Sequence, residues 1–145
     1  MQLEIVTPEK VIYSGEVDEI IVNTADGEIA VLPQHVNLLT KVLPGEMTIK
    51  IGVKEQFLAI TGGFLEVNNN KISLLADYAV RAEEIEVEKA LAAQKRAEEI
   101  IKNKAEGISE RDFATAQGDL RRALLELHVA KRRHHSSGGP VGSSN

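Results

Sequence analysis

Cysteine and tryptophan are absent from this chain of 145 residues, and aromatic residues make up only 3% of it. Without cysteine, disulfide bonds, thiolate zinc sites and a cysteine nucleophile are all excluded. With so few aromatic rings, neither a base-stacking surface for nucleic acid nor a large aromatic ligand pocket is expected. We therefore expect no nucleic-acid binding.

Long apolar runs are also absent. No stretch approaches the ~20 residues that a membrane-spanning helix needs, and the first residues lack the basic-then-apolar order of a secretory signal. The hydrophobic fraction of 43% and the charged fraction of 27% are typical of globular proteins. These features predict a cytoplasmic or stromal protein.

Catalytic motifs are missing as well. None of the histidines belongs to a HExxH motif, no GxSxG elbow supplies a nucleophile, and His134 and His135 have no evident third ligand for a metal. Gly62 and Gly63 lie between two predicted strands with no Lys-Ser or Lys-Thr after them, so they indicate a tight turn or bulge and not a phosphate loop. We expect no catalytic residues and no metal site.

The most informative feature is a change of hydrophobic period around residues 77–90. Before it, apolar residues recur every second position, as in strands; after it, they recur every third or fourth, as in helices. Four carboxylates suited to a first helical turn place the helix start near Glu83. We predict a β domain at residues 1–80, a helical hairpin at 81–133 and a disordered tail at 134–145.

The first part has the short strands and turn signals that are typical of an antiparallel β protein. Asp26-Gly27 is a strong hairpin signal, Pro44-Gly45 marks another turn, and Met47, Ile49 and Ile51 alternate with polar residues. Eight or more short strands separated by turns predict an antiparallel sandwich or flattened barrel. Together with the hairpin that follows, this makes the fold class α+β.

The second part predicts two antiparallel helices joined by a short turn. Gly107 is expected to close the first helix, and Ser109 to cap the second. The facing stripes are Ala90, Ala93, Ala97 and Ile100 on one helix, and Phe113, Ala116, Leu120, Leu124 and Leu127 on the other. Because alanine buries little apolar area, this pairing should be weak enough to open. Gly118 indicates either close packing or a weakened helix.

Charge is distributed unevenly. Residues 1–80 carry 5 basic and 11 acidic side chains, a net charge of −6, whereas residues 81–145 carry 12 and 11, a net charge of +1. A basic end forms late in the chain and faces only Glu126 in the local sequence; it consists of Arg121, Arg122, Lys131, Arg132 and Arg133. It is either a solvated helix terminus or a docking patch for an acidic partner.

The order of parts and three segments together resemble a known family. These segments are Asp26-Gly-Glu-Ile-Ala-Val-Leu-Pro-Gln-His35, Gly62-Gly-Phe-Leu-Glu-Val67 and Leu74-Leu-Ala-Asp77. Over residues 1 to about 133 the chain resembles the epsilon subunit of F-type ATP synthases. It departs from the family pattern at Ala30 and Gln34, where relatives commonly carry glycine.

The resemblance implies a non-catalytic component of the rotor. In that family the sandwich binds the gamma subunit and rests on the membrane-embedded c-ring, so Glu28 and His35 are implied contacts with these partners. The alternative is that both belong to an ordinary polar loop. The implied location is peripheral, on the cytoplasmic side of an energy-coupling membrane such as the bacterial plasma membrane, with membrane association only through the complex.

The resemblance also implies that the hairpin is regulatory. Folded on the sandwich it permits rotation; extended along gamma it reaches an acidic segment of a catalytic beta subunit, beside alpha, and blocks ATP hydrolysis. The basic end would supply the inhibitory contact. Two alternatives remain open: a free-standing ATP sensor, and a purely structural adaptor that does not affect hydrolysis.

Some relatives bind ATP at the start of the first helix through an Ile/Leu-Asp-x-x-Arg-Ala motif. Ile85 and Ala90 match this motif, whereas Glu86 replaces the aspartate and Lys89 replaces the arginine. Arg96 and Arg122 match further basic positions of that site. Lysine meets a phosphate as a point charge and lacks the planar fork of arginine, so the substitution is not conservative. No cofactor is required, and ATP is the candidate regulatory ligand.

Overall fold

The computed structural model describes residues 1–133. The predicted disordered tail, residues 134–145, and the histidines at its start lie outside the described residues.

Ten strands make up the first part of the chain. They are β1 (Gln2–Val6), β2 (Val11–Glu16), β3 (Glu19–Thr24), β4 (Gly27–Val31), β5 (Leu38–Val42), β6 (Gly45–Ile51), β7 (Lys54–Ile60), β8 (Gly63–Asn68), β9 (Lys71–Ala76) and β10 (Ala79–Arg81). The predicted hairpin at Asp26-Gly27 is confirmed, because β3 and β4 pair in antiparallel register across it.

The strands form two layers that meet at one corner. One layer has the order β10-β7-β6-β3, with β4 paired to β3, and the other has the order β5-β8-β9-β1-β2. Thr24 and Val42 are the paired residues that join β3 to β5. The antiparallel prediction is confirmed with one exception: β1 runs parallel to β9, with Gln2 beside Lys71. The predicted sandwich therefore closes through a pairing of distant segments.

Large aliphatic side chains fill the space between the layers. Leu3 and Ile5 of β1, Leu65 of β8 and Leu74 of β9 are completely shielded from solvent. They come from alternate positions of their strands, which is how a strand directs one face inward. Full burial of each such side chain contributes about 1.5–3 kcal/mol.

Gly63 opens β8 where two backbones come unusually close. Its φ of +153° lies in a region that side chains disfavour, and a Cβ there would collide with the carbonyl oxygen of Leu75 and lie 2.8 Å from the Cα of Ala76. The Gly62-Gly63 pair joins β7 to β8, which is not the strand-to-helix context of a phosphate loop.

The first helix begins later than predicted. Ala82–Glu84 is a short 3₁₀ turn, Ile85 is extended, and the first helix, α1, spans Val87–Lys102. The helix start near Glu83 was therefore wrong: the extended backbone at Ile85 places this side chain in a buried cluster. The second helix, α2, spans Glu110–Ala130, and the Ser109 hydroxyl caps it by accepting a hydrogen bond from the Asp112 N–H, as predicted.

Alanine forms the seam between the helices. Ala90 and Ala97 of α1 are buried, as are Ala116 and Ala123 of α2. The prediction of Leu124 in the facing stripe was wrong, since this side chain is 46% exposed and Ala123 takes its place. Gly107 was expected to end α1; the helix ends earlier, and Gly107, with a φ of +96°, ends a 3₁₀ turn at Lys104–Glu106.

The hairpin lies against the outer face of β7 and its neighbours. A small buried cluster joins the two parts and consists of Phe57, Ala59, Ala82, Ile85, Val129 and Ala130. It is separate from the sandwich core, which lies between residues 3 and 79. The C-terminal end of α2 thus supplies much of the apolar contact between the hairpin and the sandwich.

Candidate functional site

A cavity of about 570 Å³ lies between the hairpin and the edge of the sandwich. Its walls come from the β1–β2 region, the β9–β10 segment, α1 and α2. The structure brings all six of the suggested nucleotide-binding residues to this one cavity: Ile85, Glu86, Lys89, Ala90, Arg96 and Arg122.

The start of α1 explains how these residues come together. Glu86 is the N-cap residue with an extended backbone, and its side chain makes no capping hydrogen bond. From there Lys89, Ala93, Arg96 and Ile100 recur at helical spacing along one wall of the cavity. Arg122 of α2 lines it as well, because the two helices are antiparallel neighbours.

Opposite charges balance around the cavity. Four basic and four acidic side chains line it: Lys10, Lys89, Arg96, Arg122, Glu84, Glu86, Asp119 and Glu126. Lys89 Nζ lies 3.1 Å from Glu86 Oε2, but both side chains are largely exposed, so this pair contributes little. Within the described part of the chain, Lys10 and Arg96 have no side-chain ion pair or hydrogen bond. Their charges are therefore available to an anionic ligand.

Tyr78 links the sandwich to α2 at the edge of this cavity. Its hydroxyl donates a hydrogen bond of 2.8 Å to Glu126 Oε2, and the guanidinium carbon of Arg122 lies 3.6 Å from the centre of its ring. Arg122 Nε lies 3.8 Å from Glu126 Oε1. Burial, followed by the hydrogen bond to Glu126, raises the pKa of the Tyr78 hydroxyl above its ordinary value of 10.0. Sequence reasoning missed Tyr78 because its partner is 48 positions away.

The basic end does not form one continuous patch in this structure. Arg121 and Lys131 are exposed, whereas Arg122 is engaged by Tyr78 and Glu126. Arg132 Nε donates a hydrogen bond of 3.0 Å to Glu46 of β6, and its guanidinium carbon lies 5.1 Å from the centre of the Phe57 ring. The local sequence offers these residues only Glu126, and the structure adds Glu46 from a distant strand.

Arg133 completes the basic end, with Nη1 donating a hydrogen bond of 3.4 Å to the carbonyl oxygen of Ile85. In the docked arrangement, three of the five cations of the basic end therefore contact other parts of the chain.

A second cavity, of about 440 Å³, lies between α2 and the turns at one end of the sandwich. Gly118 lines it, and a Cβ at this position would meet nothing within 4 Å. Of the two readings of Gly118, close packing is therefore wrong. The glycine leaves a gap on the sandwich side of α2.

Glu28 and His35 lie apart. Glu28 pairs with Asn23 beside the Asp26-Gly27 turn, and β4 then runs to Val31 before the loop that holds His35. Three strand residues alone cover about 10 Å, so these two side chains do not form one contact point. His35 Nδ1 lies 2.8 Å from the carbonyl oxygen of Val36.

One surface was missed by the sequence analysis. On the outer face of the β5-β8-β9-β1-β2 layer, Phe64 pairs with Leu75, Leu75 lies beside Val6, and Val6 pairs with Val11. We call these four residues the open-face row. Phe64, Leu75 and Val11 are 56%, 62% and 56% exposed, and the hairpin lies on the other layer. The sequence carries no signal for this row, because each strand contributes only one apolar residue to its polar face and single exposed apolar residues are common.

Residues 1–133 lack two kinds of feature. No group of three or more histidine, aspartate or glutamate side chains there is arranged to hold a metal ion. No helix in the same range has the length and apolar character to cross a membrane.

Family models match both parts of the chain. The beta-sandwich domain of the ATP synthase delta/epsilon chain matches residues 1–82, and the long alpha-helix domain of the same chain matches residues 83–131.

Similar proteins cover nearly the whole length. The ATP synthase epsilon chain of Dehalococcoides mccartyi is 43% identical over 136 residues, which is 93% of this chain and 96% of the relative. The epsilon chain of Desulforamulus reducens is 42% identical over 132 residues, covering 91% and 92%.

Solved structures are similar too. A chain in the cryo-EM structure of the Euglena gracilis mitochondrial ATP synthase, OSCP/F1/c-ring, has a TM-score of 0.67 and 26% identity, covering 82% of this chain and 74% of that one. A chain in the central stalk and c-ring structure from Tetrahymena thermophila shares the fold, with a TM-score of 0.58, 15% identity and coverage of 90% and 96%.

Proposed function

This chain belongs to the delta/epsilon family of ATP synthase subunits, and on that premise we propose that it couples the gamma subunit to the c-ring and inhibits ATP hydrolysis through its helical hairpin. Like the epsilon chains it resembles, it is a non-catalytic subunit of the complex. Its partners are gamma, the c-ring and the alpha and beta subunits. Its proposed place is the cytoplasmic side of the bacterial plasma membrane.

The open-face row is the observation that carries the coupling proposal. Three of its four apolar side chains are more than half exposed, and the row crosses four adjacent strands on the layer that the hairpin leaves open. A contiguous exposed apolar strip of this kind is typical of a protein interface. Lys41 extends the row at the β5 edge, beside Phe64, and adds a charged contact at its rim. We assign this surface to gamma.

The two ends of the sandwich offer separate contacts. Glu28 lies near the Asp26-Gly27 turn, and His35 lies in the loop beyond β4. Because these side chains are at different ends, one subunit need not meet both. We assign the turn with Glu28 to the c-ring and the loop with His35 to gamma.

The weak attachment of the hairpin supports its regulatory part. The helices meet on alanine, and a cluster of six residues joins them to the sandwich. Small apolar contacts cost little to separate, so the hairpin can leave the sandwich without unfolding it. Its basic end then reaches an acidic segment of the beta subunit.

Reconstitution tests this proposal. A catalytic head depleted of its epsilon subunit is assayed for ATP hydrolysis after addition of either the full chain or residues 1–86, which hold the entire sandwich core. We expect both to bind gamma and only the full chain to inhibit. Equal hydrolysis with both, despite binding, would identify a purely structural adaptor.

The open-face row is tested separately by Phe64→Asp, with Val53→Asp as the matched control. Val53 is fully exposed in the β6–β7 turn and lies outside the row. We expect Phe64→Asp to weaken co-elution with gamma at least tenfold and Val53→Asp to leave it unchanged. Equal binding by the two variants would refute the assignment of this face.

ATP binding is a second proposal, favoured by the cavity that gathers six candidate residues. Lys10 and Arg96 offer free positive charge to phosphates. We expect weak binding by the natural chain, because Lys89 lacks the bidentate geometry of arginine and is paired with Glu86. The double variant Glu86→Asp and Lys89→Arg should bind ATP more tightly by calorimetry, whereas Lys95→Arg, outside the cavity, should not. Tight binding without association with a catalytic head would instead indicate a free-standing sensor.

A further inference from the structure

Tyr78, Arg122 and Glu126 form a closed set of contacts between the sandwich and α2. The Tyr78 hydroxyl donates to Glu126 at 2.8 Å, the Arg122 guanidinium stacks on the Tyr78 ring at 3.6 Å, and Arg122 and Glu126 lie 3.8 Å apart. The Glu126 side chain is only 15% exposed. A hydrogen bond to a shielded carboxylate is stronger than one between neutral groups.

A second set of contacts fastens the end of α2. Arg132 bonds Glu46 at 3.0 Å and lies 5.1 Å from the centre of the Phe57 ring. The Glu46 side chain is 17% exposed and the Arg132 side chain 41% exposed, so this ion pair is shielded on the Glu46 side only. Stacking of a guanidinium on an aromatic face adds to it. The contacts of Tyr78 with α2 and of Arg132 with Glu46 and Phe57 exist only while α2 rests on the sandwich, whereas the Arg122–Glu126 pair lies within α2.

These contacts involve two cations of the basic end. When α2 leaves the sandwich, Arg122 loses Tyr78 and Arg132 loses both Glu46 and Phe57. The same step that undocks the hairpin therefore releases Arg132 and uncovers Arg122, which keeps only its pair with Glu126 in α2. Both sets are made by side chains of the chain itself.

We propose that Tyr78 and Glu46 hold the hairpin docked without a bound ligand, and that by the same contacts they withhold Arg122 and Arg132 from the catalytic subunits. This inference rests on the proposed inhibitory function of the hairpin and adds its regulation: docking of the hairpin and engagement of these two cations by the sandwich are one equilibrium. Removing either set of contacts shifts that equilibrium toward the undocked, inhibitory state in the absence of nucleotide.

Docking is measurable directly on the full chain, because the absence of cysteine allows two labels to be placed at will. Val53→Cys and Lys102→Cys put dyes on an exposed sandwich turn and at the end of α1. Single-molecule energy transfer, without nucleotide, then gives the undocked fraction. For Tyr78→Phe we expect this fraction to rise about tenfold relative to the docked one, as loss of one charge-assisted hydrogen bond implies.

Arg132→Gln should act in the same direction, and Arg111→Gln, at an exposed position of α2 that lines neither cavity, is the matched control. Glu46→Gln and Arg132→Gln should each raise the undocked fraction, while their combination should do little more than the larger single change, because they remove one shared contact. The proposal is overturned if Tyr78→Phe and Arg132→Gln both leave the undocked fraction at the value of Arg111→Gln.

Hydrolysis assays separate this inference from the function on which it rests. Added to a depleted catalytic head, Tyr78→Phe should inhibit more strongly than the natural chain at equal occupancy. If the variants increase undocking but the natural chain never inhibits hydrolysis, the docking role of Tyr78 and Glu46 is supported and the inhibitory function is refuted. If the natural chain inhibits hydrolysis but no variant changes the undocked fraction, the inhibitory function is supported and the docking role of Tyr78 and Glu46 is refuted.

Discussion

The sandwich and the hairpin are packed with side chains of different size. In the sandwich, residues such as Leu58 and Leu65 are fully enclosed, whereas the seam of the hairpin is made of alanines such as Ala97 and Ala123. Each enclosed leucine removes far more apolar area from water than an alanine does. Stability is therefore concentrated in the part proposed to transmit torque, and the part proposed to move is attached by a few contacts. Four measurements test this division.

The largest effect is expected in the sandwich core. Leu65→Ala removes a side chain with no solvent exposure and should lower the free energy of unfolding by about 2–5 kcal/mol, since it leaves a cavity. Denaturant unfolding followed by circular dichroism measures this change. Leu39→Ala, at a side chain that is 72% exposed, is the control and should change stability by less than about 0.5 kcal/mol. Similar losses for the two would remove the contrast between core and surface.

A larger side chain in the alanine seam should loosen the hairpin alone. Ala97 is 3% exposed, so Ala97→Leu forces the helices apart at a cost of about 1–3 kcal/mol. Hydrogen exchange should speed up in α1 and α2 while the sandwich amides keep their protection. Ala92→Leu, on the exposed side of α1, should have no such effect. Loss of protection in both parts together would show that they unfold as one unit.

The cap of α2 should have a smaller effect. Ser109→Ala removes the hydrogen bond from the Asp112 N–H and should destabilise the start of α2 by about 1 kcal/mol. Exchange of the first amides of α2 reports this change. Ser109→Asp keeps an oxygen acceptor and should retain the protection. If the first amides of α2 exchange at the same rate in Ser109→Ala as in the natural chain, the cap does not contribute to hairpin stability.

The smallest effect is a loss of docking at alkaline pH. The pKa of Tyr78 is raised above 10.0 in the docked state, so docking favours the protonated hydroxyl. Its stabilisation is fully present below pH 10.0 and is lost as the pH rises through the raised pKa of the docked state. Energy transfer between the labelled positions should report increased undocking over this range. Tyr78→Phe should lack the transition, and an unchanged transition in that variant would assign it to another group.

Much of this division was visible in the sequence. Alternating residues such as Met47 and Ile49 indicated strands, Asp26-Gly27 located a hairpin, and Ser109 located a helix start. These signals act between neighbours in the chain, which is why they can be read locally. Leu124 was assigned to the buried stripe of α2 in error. Ala123 is its neighbour, and helical spacing from the other apolar residues allows either of the two to face the first helix.

Contacts between distant segments were not predictable in the same way. The six candidate nucleotide-binding residues came from a resemblance, but Tyr78 and Asp119, which share their cavity, did not. The ion pair of Arg132 with Glu46 joins residues 86 positions apart. Nothing in either neighbourhood specifies the partner, because folding of the whole chain decides which charges meet.

The parallel pairing of β1 with β9 affects how the protein is made. During synthesis, β1 emerges from the ribosome long before Lys71 and Leu75, the ends of its contact with β9. At 5–20 residues per second, one edge of β1 waits roughly 4–14 seconds for its partner strand. Through that interval its backbone groups and its inward side chains, Leu3 and Ile5, are open to association with other nascent chains. Translation speed between β2 and β9 is therefore a determinant of yield for this subunit.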